Sequence, residues 1–102
     1  MRVVICPDKF SGTLSAVEAA AAIAEGWLRA RPDDEVTQIP LADGGPGFLE
    51  VLHANLGGQF HPAQVQDPLG RIVNAQWLEV GATAYIEAAQ ANGLALLRAE
   101  ER

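Results

Sequence analysis

The sequence predicts an α/β chain in which a β-α-β-α run with parallel strands is followed by a β-rich portion. Three features predict it. A β-branched apolar run from Arg2 to Cys6 halts at Pro7, an Ala-rich stretch fills Ala16 to about Ala30, and short extended segments crowd together after Gly58.

The run over residues 2–6 reads as a buried strand, with Cys6 as one of its buried residues. A Gly-containing loop, Asp8-Lys9-Phe10-Ser11-Gly12-Thr13, comes next. Ser15 and Glu18 then fit a capping box, in which the serine hydroxyl and the glutamate satisfy each other's backbone N–H. The Ala-rich helix that follows places Val17, Ala20, Ile23, Ala24 and Trp27 on one apolar stripe, and Pro32 ends it. Residues 35–41 read as a second strand, pairing parallel to the first through a right-handed crossover. Ala42-Asp43-Gly44-Gly45-Pro46-Gly47 is a tight turn into a second helix, with Pro46 at its first position. Phe48, Leu49, Leu52 and Leu56 mark the apolar face of that helix, and Gly57-Gly58 stops it.

Beyond Gly58, residues 60–66 and 71–79 are extended and flank Asp67-Pro68-Leu69-Gly70, which has the residue order of a type I turn. A third short strand covers 84–86. Asn92-Gly93 signals a turn, and the charged segment 98–102 brings no closing element. The chain is expected to be part of a longer one.

Composition narrows the function. Of 102 residues, 49% are hydrophobic and 20% charged, as in globular domains. The formal charge of −6 offers no diffuse positive field for nucleic acid or an anionic membrane. A single cysteine allows no internal disulfide. No apolar run approaches the roughly 20 residues needed to span a bilayer. The first five residues are too short for a signal-peptide core, so a cytoplasmic location is expected.

Two loops carry candidate chemistry. Each follows a strand and precedes a helix, so in one parallel sheet both would open on the same edge, where such sheets bind ligands. In the first, Lys9 suits a phosphate or carboxylate, Asp8 suits a hydroxyl or hydrated Mg2+, and Ser11 and Gly12 lead toward a helix N-terminus. The Walker A spacing is absent. In the second, Gly44 and Gly45 let a ligand approach the backbone, and Asp43 serves only a ligand directly above the turn. Both loops also read as ordinary capped turns. His53 and His61 have no third ligand at metal spacing. Arg71 reads as an exposed charge at a strand edge, and Trp27 and Trp77 as core. Glu87 is either an N-terminal helix charge or a pocket carboxylate.

The run Pro7-Asp8-Lys9-Phe10-Ser11-Gly12-Thr13-Leu14 resembles the opening signature of the bacterial glycerate kinase family. Leu41-Ala42-Asp43-Gly44-Gly45 resembles the second, Asp67-Pro68-Leu69-Gly70-Arg71 the third, and Ile86-Glu87-Ala88-Ala89 through Leu94 the fourth. The resemblance implies ATP- and Mg2+-dependent phosphorylation of D-glycerate. Asp8 and Asp43 would be catalytic, and Lys9, Ser11, Gly12, Gly44 and Gly45 would bind substrate or phosphate. It also implies a Rossmann-like portion over 1–58 and the start of an inserted β-rich domain over 59–102, with the rest of the enzyme absent. An inactive N-terminal fragment is expected. This sequence departs from the family at Ser11, Pro46, Phe48 and Asn92, where Lys, Glu, Thr and Ser are usual. The rival expectation is a non-catalytic module that binds a carboxylate or phosphate.

Overall fold

Asp43 and Gly44 divide the chain into two units, Met1–Asp43 and Gly44–Arg102, in a computed structural model that describes all of residues 1–102.

In the first unit, β1 (Arg2–Ile5), α1 (Ala16–Ala30) and β2 (Glu35–Gln38) follow in order, and β1 pairs parallel to β2 with Arg2 opposite Glu35 and Ile5 opposite Gln38. The helix occupies the expected residues because its start is locally encoded. Glu18 N–H donates to the Ser15 hydroxyl at 3.1 Å, and Ser15 N–H donates to Glu18 Oε1 at 2.9 Å. Small side chains on its inner face let it sit close: Ala20 and Ala24 pack with Ile5, and Val3 and Val36 flank them. The expected stripe is therefore corrected. Ala16, Ala19, Ala20 and Ala24 are buried, whereas Ile23 and Trp27 are exposed.

Cys6 is also corrected, since it is exposed and lies beyond the strand. Strand side chains alternate between faces, and only the face carrying Val3 and Ile5 meets α1. Val4, on the other face, is 59% exposed. β2 ends at Gln38, short of the expected 35–41, because Pro7 on the facing strand has no N–H to give back to the ladder. Two ladder bonds nonetheless continue past it, from Ile39 N–H to the Ile5 carbonyl (2.8 Å) and from Leu41 N–H to the Pro7 carbonyl (2.9 Å).

Asp34 closes the turn before β2, accepting from Arg31 Nε at 2.7 Å, Trp27 Nε1 at 2.9 Å and the N-terminal amine at 3.1 Å. The Arg31 guanidinium first, then the indole N–H, hold its carboxyl well below the usual carboxylate range. A carboxyl depressed on folding stabilises the fold fully above its unfolded pKa of about 4, and loses that contribution as pH falls toward the folded value. Asp34→Asn is expected to weaken this unit at pH 7 and to flatten the acid limb of a stability–pH curve measured by urea unfolding. An unchanged acid limb would contradict this.

In the second unit, α2 (Phe48–Leu56) precedes β3 (Gln59–Gln66), β4 (Ile72–Val80) and β5 (Thr83–Ile86), which form an antiparallel sheet in sequence order. A short helix, α3 (Ala89–Asn92), and two 3-10 turns complete it. Gly47, not Pro46, is the N-cap of α2, so Pro46 belongs to the turn and the expectation for it is corrected. The buried residues of α2 are Leu49 and Val51, while Leu56 is exposed. The helix packs on β4, where Leu78 is fully buried between its cross-strand neighbours Phe60 and Tyr85. On the opposite face His61 stacks on Trp77, with ring centroids 4.4 Å apart. Gly57 ends α2 as expected, its N–H donating to the His53 carbonyl at 2.9 Å.

The β3–β4 turn closes as its residue order implied, with Gly70 N–H donating to the Asp67 carbonyl at 3.0 Å. The Asp67 side chain accepts from the N–H groups of Leu69 and Arg71, both at 2.9 Å, and from Arg71 Nε at 2.6 Å. Burial opposes its charge, yet the Arg71 and Leu69 donors prevail and keep the carboxyl below its ordinary value. Arg71 is thus no free strand-edge charge. Its guanidinium also donates to both Glu101 oxygens, at 3.0 and 3.1 Å, and to the Leu96 carbonyl, which ties the last turns of the chain to the hairpin.

Candidate functional site

The first candidate loop is a self-bonded turn. Leu14 and Thr13 N–H groups donate to the Phe10 carbonyl, and Phe10 N–H donates back to the Leu14 carbonyl at 2.9 Å. Gly12 sits at its tip with φ +77°, a conformation that an L side chain rarely adopts. No atom lies within 4 Å of where a Cβ on Gly12 would stand, so the backbone is open to a ligand. Ser11 and Gly12 are both exposed.

Asp8, Lys9 and Asp43 meet beside this turn. Lys9 Nζ lies 3.5 Å from Asp43 Oδ1 and 3.9 Å from Asp8 Oδ1, and Asp8 Oδ1 also accepts from Lys9 N–H at 2.6 Å. The ladder explains the meeting, because Leu41 N–H on Pro7 places residues 8 and 43 at the same strand ends. The Lys9 side chain is 25% exposed, those of Asp8 and Asp43 44% and 64%. Two carboxylates around one ammonium give the trio a net charge of −1. Lys9 thus faces a carboxylate on either side.

The glycine turn opens the second unit. Gly44 and Gly47 both have φ +95°, while Gly45 does not share the positive φ. Nothing stands within 4 Å of a Cβ placed on Gly44. Phe48 N–H donates to the Gly45 carbonyl at 3.1 Å. Leu49 N–H donates to the carboxylate of Glu87, which is 8% exposed. Glu87 thus resolves as a pocket carboxylate, and the helix end it meets belongs to α2 rather than to the α3 that follows it. It lies in the wall of a cavity of about 350 Å³ with Gly47, Phe60, Gln76 and Gln90. This contact was beyond sequence reasoning, since its two residues are 38 apart. The one available signal was a buried-looking acid between a strand and two alanines.

No group of three or more His, Cys, Asp or Glu side chains able to hold a metal is present. No helix is long and apolar enough to cross a membrane.

Comparison with known proteins points one way. A crystal structure assigned to glycerate kinase 2 of Salmonella typhimurium LT2 superimposes with a TM-score of 0.82 at 38% identity, covering 100% of this chain and 28% of that one. The Escherichia coli (strain K12) glycerate 2-kinase is 44% identical over 104 residues, covering 100% of this chain and 27% of its own length. An uncharacterized protein of Mycobacterium tuberculosis (strain CDC 1551 / Oshkosh) is 54% identical over 99 residues, covering 95% of this chain and 26% of its own length. The chain thus spans about a quarter of the length of the relatives it matches. Residues 3–102 match the Glycerate kinase family, and with the four motifs in order on a shared fold, the chain belongs to that family.

Proposed function

We propose that this chain contributes to ATP-dependent phosphorylation of a hydroxyl group of D-glycerate, acting in the cytoplasm on glycerate and nucleotide. The observation that carries the reading is the Asp8–Lys9–Asp43 trio at two paired strand ends. In this reading, residues 1–58 form a Rossmann-like portion and 59–102 begin an inserted β-rich domain.

Phosphoryl transfer asks a protein mainly for positioning and charge neutralisation. Asp43 accepts the proton of the attacking glycerate hydroxyl as its oxygen bonds to the γ-phosphorus, and ADP leaves with the displaced bond's electrons. Asp8 orients that hydroxyl, and Lys9 binds phosphate or substrate between the two carboxylates. Ser11, Gly12, Gly44 and Gly45 receive phosphate or substrate oxygens against an open backbone. The two carboxylates fit Mg2+, which usually takes one or two protein carboxylates together with substrate phosphates. When bound, the ion offsets charge on the transferred group. The trio's negative balance favours a nucleotide arriving with its cation over a bare anion.

Comparison supports this reading over the non-catalytic module, since named relatives that cover the whole chain are glycerate kinases. The test is glycerate-dependent ADP release with ATP and Mg2+. It is run on the protein carrying this chain, and on a hybrid in which residues 1–102 replace the matching segment of the Escherichia coli enzyme. Release that EDTA abolishes is expected in both. A folded protein and a folded hybrid that both fail to consume ATP when glycerate is added would reject the proposal.

A further inference from the structure

The first turn of α2 lacks a side-chain cap of its own. Its N-cap is Gly47, which has no side chain to accept from the exposed N–H groups that open a helix. Phe48 and Val51 N–H groups find carbonyls within the turn itself, those of Gly45 and Gly47, both at 3.1 Å. Leu49 N–H instead donates to Glu87 Oε1 at 3.1 Å. The segment bearing Glu87 is itself anchored, because Gln90 Oε1 accepts from Gln76 N–H of β4 at 2.8 Å. A buried carboxylate delivered from 38 residues away thus occupies the spot where a helix start would otherwise attract an anion.

We propose that Glu87 is a positioning residue of the glycine turn, filling the anion position of α2 from within and fixing the Gly44–Gly47 backbone beside the adjoining cavity. The proposal deepens the kinase reading above and rests on it for the claim that the turn serves catalysis. Two consequences follow. Free phosphate gains nothing at this helix end, and substrate meets a backbone set before it arrives.

The test compares Glu87→Ala with Glu87→Gln, which keeps an acceptor oxygen. Amide hydrogen exchange, NMR shifts, kcat and KM are all read in the whole protein carrying this chain. In Glu87→Ala, Leu49 N–H exchange should quicken about tenfold or more and the Gly45 and Gly47 amides should shift. Its kcat should fall about tenfold with a smaller change in KM, and Glu87→Gln should restore most of each loss. Inorganic phosphate should leave the wild-type Leu49 amide unmoved and shift it in Glu87→Ala. If the alanine variant does not fold, retained Leu49 protection in Glu87→Gln carries the test. Unaltered glycine amides in Glu87→Ala, lost protection in Glu87→Gln, or a phosphate-induced Leu49 shift in the wild type would each overturn the proposal. Expected amide behaviour without glycerate phosphorylation would instead reject the kinase reading and leave Glu87's hold on the turn standing.

Discussion

Asp43→Ala is expected to lower kcat for glycerate phosphorylation by about 10²- to 10⁴-fold, the usual worth of a positioned proton acceptor. Stability should scarcely change, because the side chain is 64% exposed and surface substitutions usually stay within about 0.5 kcal/mol. KM for ATP should move far less than kcat, since an interaction used in the transition state is the one lost. Asp8→Ala should also cost activity, but with some loosening of the first loop, because Asp8 Oδ1 accepts from Lys9 N–H at 2.6 Å. Steady-state kinetics beside thermal melts separate the two effects. Turnover unchanged in both variants would remove the assignment of the trio.

The second large effect concerns Gly58. It has φ +97°, and a Cβ there would stand 2.3 Å from the Glu79 carbonyl oxygen and 2.7 Å from Val80 Cγ2. Gly57 also has positive φ, +72°, with nothing within 4 Å of its own Cβ position. The pair separates backbone strain from collision. Gly57→Ala should cost roughly 1–3 kcal/mol, because its φ of 72° with ψ of −140° is a backbone conformation that L-residues scarcely populate. Gly58→Ala adds a clash with the β4–β5 end of the sheet and should cost roughly 3–5 kcal/mol, among the larger values for single substitutions. Urea unfolding followed by circular dichroism measures both. Equal losses would mean that the space around Gly58 relaxes freely.

Much of this was legible where the signal is local. The capping box and the alanines fixed α1 because every term acts within one or two turns of chain. The Asp67-to-Gly70 turn declared the β3–β4 hairpin for the same reason. The meeting of Asp8 with Asp43 followed from parallel pairing, a simple rule applied to two strand ends. Illegible were features set by what lies across space. Cys6, Ile23 and Trp27 are apolar or sulfur-bearing, yet their exposure depends on which strand or helix face finds a partner. Arg71 and Glu101 are 30 residues apart, and no periodicity joins them. Pro46 looked like the first helical residue, but Gly47 with its left-handed φ is the cap and the helix begins two residues later, at Phe48. That Lys9 faces two carboxylates was likewise out of view, since the second reaches it only through the parallel pairing.

The two ladder bonds beyond β1 and β2, Ile39 to Ile5 and Leu41 to Pro7, act as a ruler for the chemistry above them. Each residue of an extended chain advances about 3.3 Å, close to the reach of the Lys9–Asp43 contact itself. A one-residue deletion or insertion between Gln38 and Asp43 would slip one carboxylate a full notch past the ammonium and part them. Loop length here is therefore a measured quantity, and these few residues tolerate changes of side chain far better than changes of number.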